Sequence, residues 1–504
     1  MPVLAPEPAT PEQRPLPFLL ESRAEAATLD AGRYRIALMG PRPVDEAALR
    51  DAVATAKDLS GALRAMTRCY VDAGYPAAKL WYALDGEMLY VLASLGRVEG
   101  TDVEPPLDAY FDDLPSGALK SADLEPRRIL ASEHANRAGL TARPVFRDGG
   151  DQQVLSLEAI DDSPDTLGLG AELHNRGNRF VGRHFLDVAG RLDFATGDEL
   201  TAAWHHALKS LNDSRANRFN QYDAGWSRVT PIGLFGLSAS YSSFDFDVAT
   251  LTGPVAADGD LRQAELAWIK PLAATRDWRV TANAEVAYDH KKTTALDGDA
   301  VLQDQEYGSI EAGVAYSDGT SPGAPWGFSA RLQARLGLGD DEGDDREVAA
   351  DLGYFLARPS LAVTWSPDSD WVFGGEATVQ WTGDTLPEQA QWVLGGVDAV
   401  TAYLPGVAIG DSGGLVRLEA RREGEPDATW TVEPRLFVEH GWARFEAGDS
   451  TRQRLTDAGL GVTLRWRGLS ASLVSAFDIA HDGVGREQRD DSEAHVVFSV
   501  AARL

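Results

Sequence analysis

The side chains able to do chemistry are few and scattered. His205 and His206 are adjacent. In a strand they would point to opposite faces, so they could not hold one ion together. Asp340, Asp341, Glu342, Asp344, Asp345 and Glu347 form an acidic run. Calcium takes such oxygen ligands, but the spaced order of a dedicated loop is missing, and the run reads as a solvated loop. Cys69 is the single cysteine and leaves no intramolecular disulfide. It sits beside helical core positions as a small apolar group. No nucleophile stands with a partnering acid and base, and neither a nucleotide motif nor metal-ligand spacing is read. The expectation is neither an enzyme nor a cofactor, with no metal. Nucleic acid is excluded as a partner, because 47 Lys+Arg against 77 Asp+Glu leave a formal charge of -30.

The remaining charged residues make sense only once the elements that carry them are identified. Mean hydropathy is -0.24, and no stretch approaches the run of about 18 apolar residues that a membrane helix needs. A barrel, however, alternates apolar and polar residues and averages to soluble-looking hydropathy. That alternation dominates the chain from Leu167 onward. Trp430, Val432, Pro434, Leu436 and Val438 alternate with Thr431, Glu433, Arg435, Phe437 and Glu439, and Ala494, Val496, Phe498 and Val500 alternate with His495 and Ser499. One face is apolar and the other carries charges, Arg417, Glu419 and Arg421 among them, that a dry core could not hold unpaired. Sixteen segments of roughly ten residues begin near Leu167, Phe185, Leu200, Phe219, Phe235, Leu261, Trp278, Tyr307, Phe328, Phe355, Trp371, Leu415, Trp430, Thr456, Leu469 and Ala494.

Connections after the even-numbered segments are mostly tight, as in ATGD, TPIG and RG; those after the odd-numbered ones are mostly longer and often acidic, as in HDGVGREQRDDSE. An even strand number with short turns on one rim and long loops on the other is the pattern of an outer-membrane barrel. Twelve of the 13 tryptophans lie at or beyond Trp204, many near segment ends, where interfacial girdles place them. A large soluble sandwich or propeller would have no reason to charge a whole face of nearly every strand.

The first third follows other periods. Residues 1–29 are rich in proline (Pro2, Pro6, Pro8, Pro11, Pro15, Pro17) and read as an extended or disordered lead. They lack the basic start and apolar core of a signal peptide, so an exported protein would have lost its signal and Met1 would be artificial. Residues 30–94 read as a strand at 34–39, helices at 44–57 and 59–73 with Gly74 as the stop, and strands at 79–84 and 88–93 joined by Asp85-Gly86. Residues 95–162 read as a second such unit. It has a strand near 95–103, helices at 107–114 and 124–138, and paired strands at 141–148 and 152–160. The predicted fold class is therefore mostly β: a 16-stranded antiparallel transmembrane barrel, 163–504, behind two small α+β domains of βααββ order.

One connection differs from the rest. Residues 382–414, between segments 11 and 12, are glycine-rich and largely uncharged at the centre. Loops of this length in compact structures are functional or disordered. A Gly-Gly pair, Trp392 and Tyr403 resemble packing residues, so the loop is expected to fold into the lumen.

With these pieces in view, about 30–504 of the chain resembles the two-partner secretion transporters, within the wider superfamily that includes BamA. The βααββ units would be POTRA (polypeptide-transport-associated) domains. The resemblance rests on Leu394-Gly395-Gly396 and Gly410-Asp411-Ser412-Gly413 around the loop, on a first hairpin punctuated by Asn and Gly, and on Phe437-Val438-Glu439-His440-Gly441, which is similar to the family's Phe-x-acid-x-Gly motif. The family's loop carries a Val-Arg-Gly-aromatic tetrad whose arginine pairs with the acid of strand 13. Here the aligned residues are Val400, Thr401, Ala402 and Tyr403: the ends match and the centre does not. Glu439 thus lacks its usual partner, and Arg417 or Arg421, beside Glu419 on the lumen face, is the candidate replacement. Leu504 stands where barrel-insertion signals end in an aromatic.

The resemblance implies an outer-membrane transporter that secretes a partner exoprotein, adhesin- or haemolysin-like, with an N-terminal secretion domain. Periplasmic POTRA domains would capture the unfolded client on their sheet edges, and the lumen loop would occlude the channel at rest. Other implied partners are outer-membrane lipid and lipopolysaccharide, and the barrel-assembly machinery for its own insertion. The chain is expected to be a monomer. An assembly factor for other barrels stays open as an alternative, and more remotely a passive porin.

Overall fold

The computed structural model describes residues 8–22, 24–31, 34–115, 117–148, 153–160, 165–178, 181–208, 218–250, 253–296, 299–319, 324–339, 350–367, 370–425, 428–447 and 452–503. The acidic run beginning at Asp340 and the terminal Leu504 lie outside them.

The N-terminal domain starts earlier than its periodicity suggests. Strand β1 (Glu12–Gln13), helix α1 (Leu16–Glu21), and strands β2 (Ala26–Ala31) and β3 (Tyr34–Met39) precede α2 (Glu46–Ala54), α3 (Leu59–Asp72), β4 (Lys79–Asp85) and β5 (Met88–Ser94). They build one sheet in the order β1-β4-β5-β3-β2. The expectation of an extended lead is thereby corrected over residues 12–29, while residues 1–7 lie outside the described residues. Pro15 and Pro17 occupy the start of α1, where their fixed φ and missing N–H do no harm. The apolar residues between and after them supply a buried side: Leu19 packs with Met39 and Ala83. Helices α2 and α3 form as their spacing predicts. Asp45 and Asp58 cap them by accepting from Ala47 N and Gly61 N, and Leu49, Val53, Leu63, Met66 and Tyr70 enter the core with Ile36, Leu80 and Val91. The hairpin turn is Gly86-Glu87, one residue later than expected, since Asp85 still pairs with Met88 and Gly86 takes φ +60°.

The second domain comprises β6 (Arg97–Asp102), β7 (Gly117–Ala118), α4 (Ser121–Arg137), β8 (Thr141–Asp148) and β9 (Gln153–Ile160), with sheet order β7-β6-β9-β8. The helix expected over 107–114 is a single 3-10 turn, Asp108–Tyr110. Pro105, Pro106 and Pro115 bracket it and leave no room for a continuous α-helix.

Sixteen strands then close into a barrel: β10 (Leu167–His174), β11 (Phe185–Asp193), β12 (Asp198–Ala207), β13 (Arg218–Thr230), β14 (Gly233–Thr250), β15 (Gly253–Ala274), β16 (Trp278–Ala295), β17 (Ala300–Asp318), β18 (Trp326–Leu338), β19 (Phe355–Trp365), β20 (Trp371–Thr382), β23 (Ser412–Arg422), β24 (Trp430–Arg444), β25 (Gln453–Trp466), β26 (Leu469–Asp482) and β27 (Val496–Arg503). Two short strands inside the long connection, β21 (Trp392–Leu394) and β22 (Ala408–Gly410), form a separate sheet. All barrel neighbours are antiparallel, and β10 pairs with β27 to remove the edge. Leu418, Leu436, Leu460 and Leu473 face outward and are exposed, the apolar belt that a membrane requires.

Strand length departs from the expected ten residues: β14 to β17 run 18, 22, 18 and 19 residues. Their long-loop ends bear charged side chains such as Arg262 and Lys292, so pairing continues past the apolar belt into water. Trp226, Trp268, Trp278, Trp326, Trp365, Trp371, Trp430 and Trp466 gather near the short-turn rim, where Trp326, Trp365 and Phe373 stack in series at 5.7 and 5.3 Å.

The second domain docks on that rim through α4. Arg137 Nη1 donates to Gly197 O and Ser227 O, both at 3.2 Å. His134 bridges Tyr110 Oη at 2.8 Å and Ala195 O at 3.2 Å. Val229 from β13 joins the domain's own core beside Tyr110 and Leu130.

Candidate functional site: the loop in the lumen

Residues 383–411 fold back into the barrel, and local backbone geometry explains how. Trp392 pairs with Gly410 and Leu394 with Ala408 across β21 and β22. At the tip, Gly395 and Gly396 adopt φ +101° and +92°. A side chain at Gly395 would meet Leu404 O at 2.1 Å, so glycine is required. Gly395 N donates to Ala399 O at 2.6 Å and Gly396 N to Tyr403 O at 2.7 Å. Asp398 and Val400 are also left-handed, at φ +66° and +75°. A β-branched residue is costly there, and its burial against the wall holds Val400 in place.

The wall receives this tip through a row of inward residues. Arg417 lies opposite Glu439, and Glu439 opposite Asp457, across β23, β24 and β25. Glu439 is fully buried and accepts from Arg417 Nη1 at 2.6 Å and from Thr401 N at 2.7 Å. Asp457, also fully buried, accepts from Ala402 N at 2.6 Å. Arg417 further donates to Glu419 at 2.6 Å and to the loop's Asp398, and its guanidinium lies 4.8 Å from the ring centre of Phe437. Arg435 lies 3.5 Å from Asp398 and 3.8 Å from Glu419. Arg421, the other candidate partner of Glu439, pairs instead with Glu419 at 3.4 Å and Glu423 at 3.2 Å.

Thr401 and Ala402 thus offer backbone N–H groups where a tetrad arginine would offer a side chain. The positive charge comes from the wall. The loop supplies a negative one, Asp398.

Glycines shape the seat. A Cβ at Gly441 would come within 2.7 Å of Leu394 and 3.0 Å of Val400, and one at Gly413 within 1.9 Å of Trp392. Phe437, two positions from Glu439, forms the apolar floor. Leu394, Val400, Ala402, Tyr403, Val407 and Ala408 of the loop pack with Phe437, Leu455, Val474, Ala476 and Val497 of the wall. At the loop's base, buried Asp411 accepts from Leu386 N and Glu446 N, both at 2.8 Å, while Gln380 donates to Asp411 O at 2.8 Å.

Four contributors were not legible in advance: Asp398, Arg435, Asp457 and the last long connection. The latter carries helix α5 (Arg486–Asp490). Leu404 N donates to Ser492 O at 2.7 Å, Ala494 N to Ala402 O at 2.8 Å, and Gln488 Nε2 to Val407 O at 2.7 Å. Tyr403 forms a β-bridge with Glu493. The loop tip is therefore tied to the wall below and to this connection above.

The other residues with chemical potential are dispersed. His205 faces the lumen between Asp187 and Asp223 at 2.9 and 3.0 Å, while His206 bonds Asn220 at 2.9 Å on the opposite face. Residues 410–414 spell Gly-x-Ser-x-Gly but do not form the strand-to-helix turn of a nucleophile elbow. They form the end of β22 and the start of β23, and Ser412 Oγ bonds the backbone of Thr382. Cys69 lies half-buried against the first domain's core. Helix α1 packs on β4 and β5 of the first domain and not in the lumen.

The sequence pattern of the haemolysin secretion/activation protein family ShlB/FhaC/HecB matches residues 154–464. In structure, the chain is similar to CdiB from Escherichia coli, with TM-score 0.71 at 16% identity over 95% of this chain and 91% of that one. It is also similar to CdiB from Acinetobacter baumannii, with TM-score 0.63 at 13% identity over 95% of this chain and 90% of that one. At such identities the likeness is one of fold. No curated protein matches the chain significantly in sequence.

Proposed function

The chain belongs to the haemolysin secretion/activation protein family ShlB/FhaC/HecB, whose members are outer-membrane barrels of two-partner secretion, and from that premise we propose that it exports one unfolded exoprotein through its own lumen. The observation that carries this reading is the inward loop. A sixteen-stranded barrel is wide enough for an aqueous channel, and here the space is stoppered by a segment held through a few buried polar contacts and a small apolar plug. Such a stopper suits a channel that must be tight at rest and clear during passage.

In this reading the two α+β domains, β1 to β5 (residues 12–94) and β6 to β9 (residues 97–160), hang in the periplasm. Strands β2 and β8 are sheet edges, and an extended client segment can add to such an edge by backbone pairing. The client then enters past the short-turn rim, displaces the loop, and folds outside, which makes export unidirectional. Glu439, Asp457 and Arg417 act as the latch, with Glu419 and Arg435 orienting Arg417. Arg421 completes the charge network. Gly395, Gly396, Val400, Thr401, Ala402, Tyr403, Gly410 and Asp411 shape the stopper, and Phe437 and Gly441 form its seat.

The test is secretion of an exoprotein client produced in the same cell as this chain. Deleting residues 12–162 is expected to keep that exoprotein out of the medium while the barrel remains heat-modifiable in the outer membrane. Continued secretion after the deletion would refute the capture role.

A further inference from the structure

The lumen wall is polar over most of its surface. One cavity of about 670 Å³ is lined by Glu265, Glu285, Glu311, Arg331 and Gln333, and a second of about 380 Å³ by Asp223, Gln263, Asp289 and Arg335. Toward the long-loop rim this changes. A cavity of about 640 Å³ is walled by Phe219 on β13, Phe244 and Phe246 on β14, and Leu261 on β15.

These side chains face inward, toward water, and belong to none of the buried apolar clusters of the described residues. Phe219 stands directly opposite Phe244 in the register, and its ring meets Phe185 edge-on at 5.5 Å. Phe244 and Phe246 lie 6.0 Å apart. Gly259, opposite Phe244, leaves room for that ring: a Cβ there would sit 2.3 Å from it. An inward aromatic patch is explained neither by lipid nor by packing, and exposed apolar patches of this kind mark binding sites.

We propose that this pocket is a transit site for apolar side chains of an extended polypeptide passing through the lumen; the proposal rests on the export reading and names what the channel wall recognises. Two features favour a polypeptide over a small apolar ligand. Alternate side chains of an extended chain repeat about every 6.6–6.8 Å, and the 6.0 Å between the rings of Phe244 and Phe246 is close to that repeat. The pocket is also continuous with the stopper. Its far wall is Glu388 and Gln389 of the inward loop, Lys291 pairs with Glu388 beside Phe244, and Gln389 Oε1 is buried without a hydrogen-bond partner. Stacking on aromatic faces tolerates many apolar side chains, as a channel for a long and varied sequence requires.

The test uses the full chain carrying Gly441→Leu, which crowds the loop off its seat, in planar lipid bilayers. Should the loop reseat, residues 391–409 are replaced by a short Gly-Ser bridge, leaving the pocket intact. Two unstructured peptides of equal length and charge are applied, one with Phe at alternate positions and one with Ser there. The Phe peptide should block the current about tenfold longer, a difference set by one to two ring contacts. Phe244→Ser with Phe246→Ser should erase that difference without changing conductance or the Ser-peptide dwell time. Equal dwell times before the substitutions, or a difference that survives them, would overturn the proposal. So would blockade by a short-chain lipid that the same substitutions abolish while the peptides remain indistinguishable. If neither peptide blocks a conducting channel, the export reading itself fails and the proposal falls with it.

Discussion

Replacing Arg417 by Met should release the stopper. Arg417 is almost fully buried and is bonded to Glu439, Glu419 and the loop's Asp398. Methionine keeps the apolar stem over Phe437 but withdraws the cation. Glu439 and Asp457, both fully buried and opposite one another, then share a water-poor site with no positive partner on that row. Removing one member of a buried ion pair costs about 3–5 kcal/mol. Repulsion between the two carboxylates and loss of the Asp398 anchor both act on the seated state, so the closed-to-open ratio should fall by roughly two to three and a half orders of magnitude. Glu439→Gln keeps an acceptor for Thr401 N and removes the like charge beside Asp457, so it should cost less, about 1–2 kcal/mol. The double variant should be milder than the sum of the two, with a coupling of about 1–3 kcal/mol. Single-channel recording gives the open probability, and chymotrypsin cleavage at Trp392 or Tyr403 gives loop exposure, with heat-modifiability as the check on barrel folding. A heat-modifiable Arg417→Met barrel that stays closed and uncleaved, or strictly additive single effects, would refute the latch.

Further outcomes follow from packing, burial and membrane depth. Gly441→Leu inserts atoms where Leu394 and Val400 already lie within 3.0 Å of a Cβ position; overpacking of about 1–3 kcal/mol should raise channel openings, read in the same bilayers, while Gly441→Ala acts more weakly. Burial in the dock between α4 and the rim pushes His134 below its ordinary value of 6.5, with Arg228 and Arg137 acting in the same direction and the Ala195 carbonyl and Asp198 opposing it. The unfolded or undocked form therefore binds more protons, so docking is complete above pH 6.5 and is lost as pH falls through the lowered value; hydrogen exchange of α4 from pH 7.5 to 5 should show this, and His134→Phe should flatten the profile. Leu460→Arg places a charge on the exposed lipid face of β25 and should cost about 2–4 kcal/mol near the midplane, measured by urea unfolding in lipid vesicles; an unchanged midpoint would mean that the outward register is wrong.

Much of the architecture was legible because it is locally encoded. Strand alternation has a period of two, and a barrel in lipid needs an apolar residue at every outward position, so each wall segment carries its own signature. All sixteen were found, fourteen within three residues of their observed starts and the segments at Leu261 and Tyr307 eight and seven residues late, and α2 and α3 were found with Gly74 as the stop of the second. Length and extent were less legible. Beyond the apolar belt β14 to β17 continue through backbone pairing with neighbours, which leaves no hydrophobic period to read. The N-terminal strands and α1 were hidden by prolines, whose effect depends on whether they fall at a helix start or inside it.

The latch shows the same division. Residue types and spacing placed Glu439, Arg417, Glu419 and Arg421 on one face and marked the loop as glycine-shaped and inward. Which arginine meets Glu439, and that Thr401 and Ala402 contribute amides to two different carboxylates, depends on contacts spanning 22, 38 and 55 residues. Those pairings arise from the register of three neighbouring strands and from one loop returning through the barrel. A one-residue slip in that register would turn Arg417 toward lipid, so closure of the sheet selects the partner from a set that local pattern leaves equivalent.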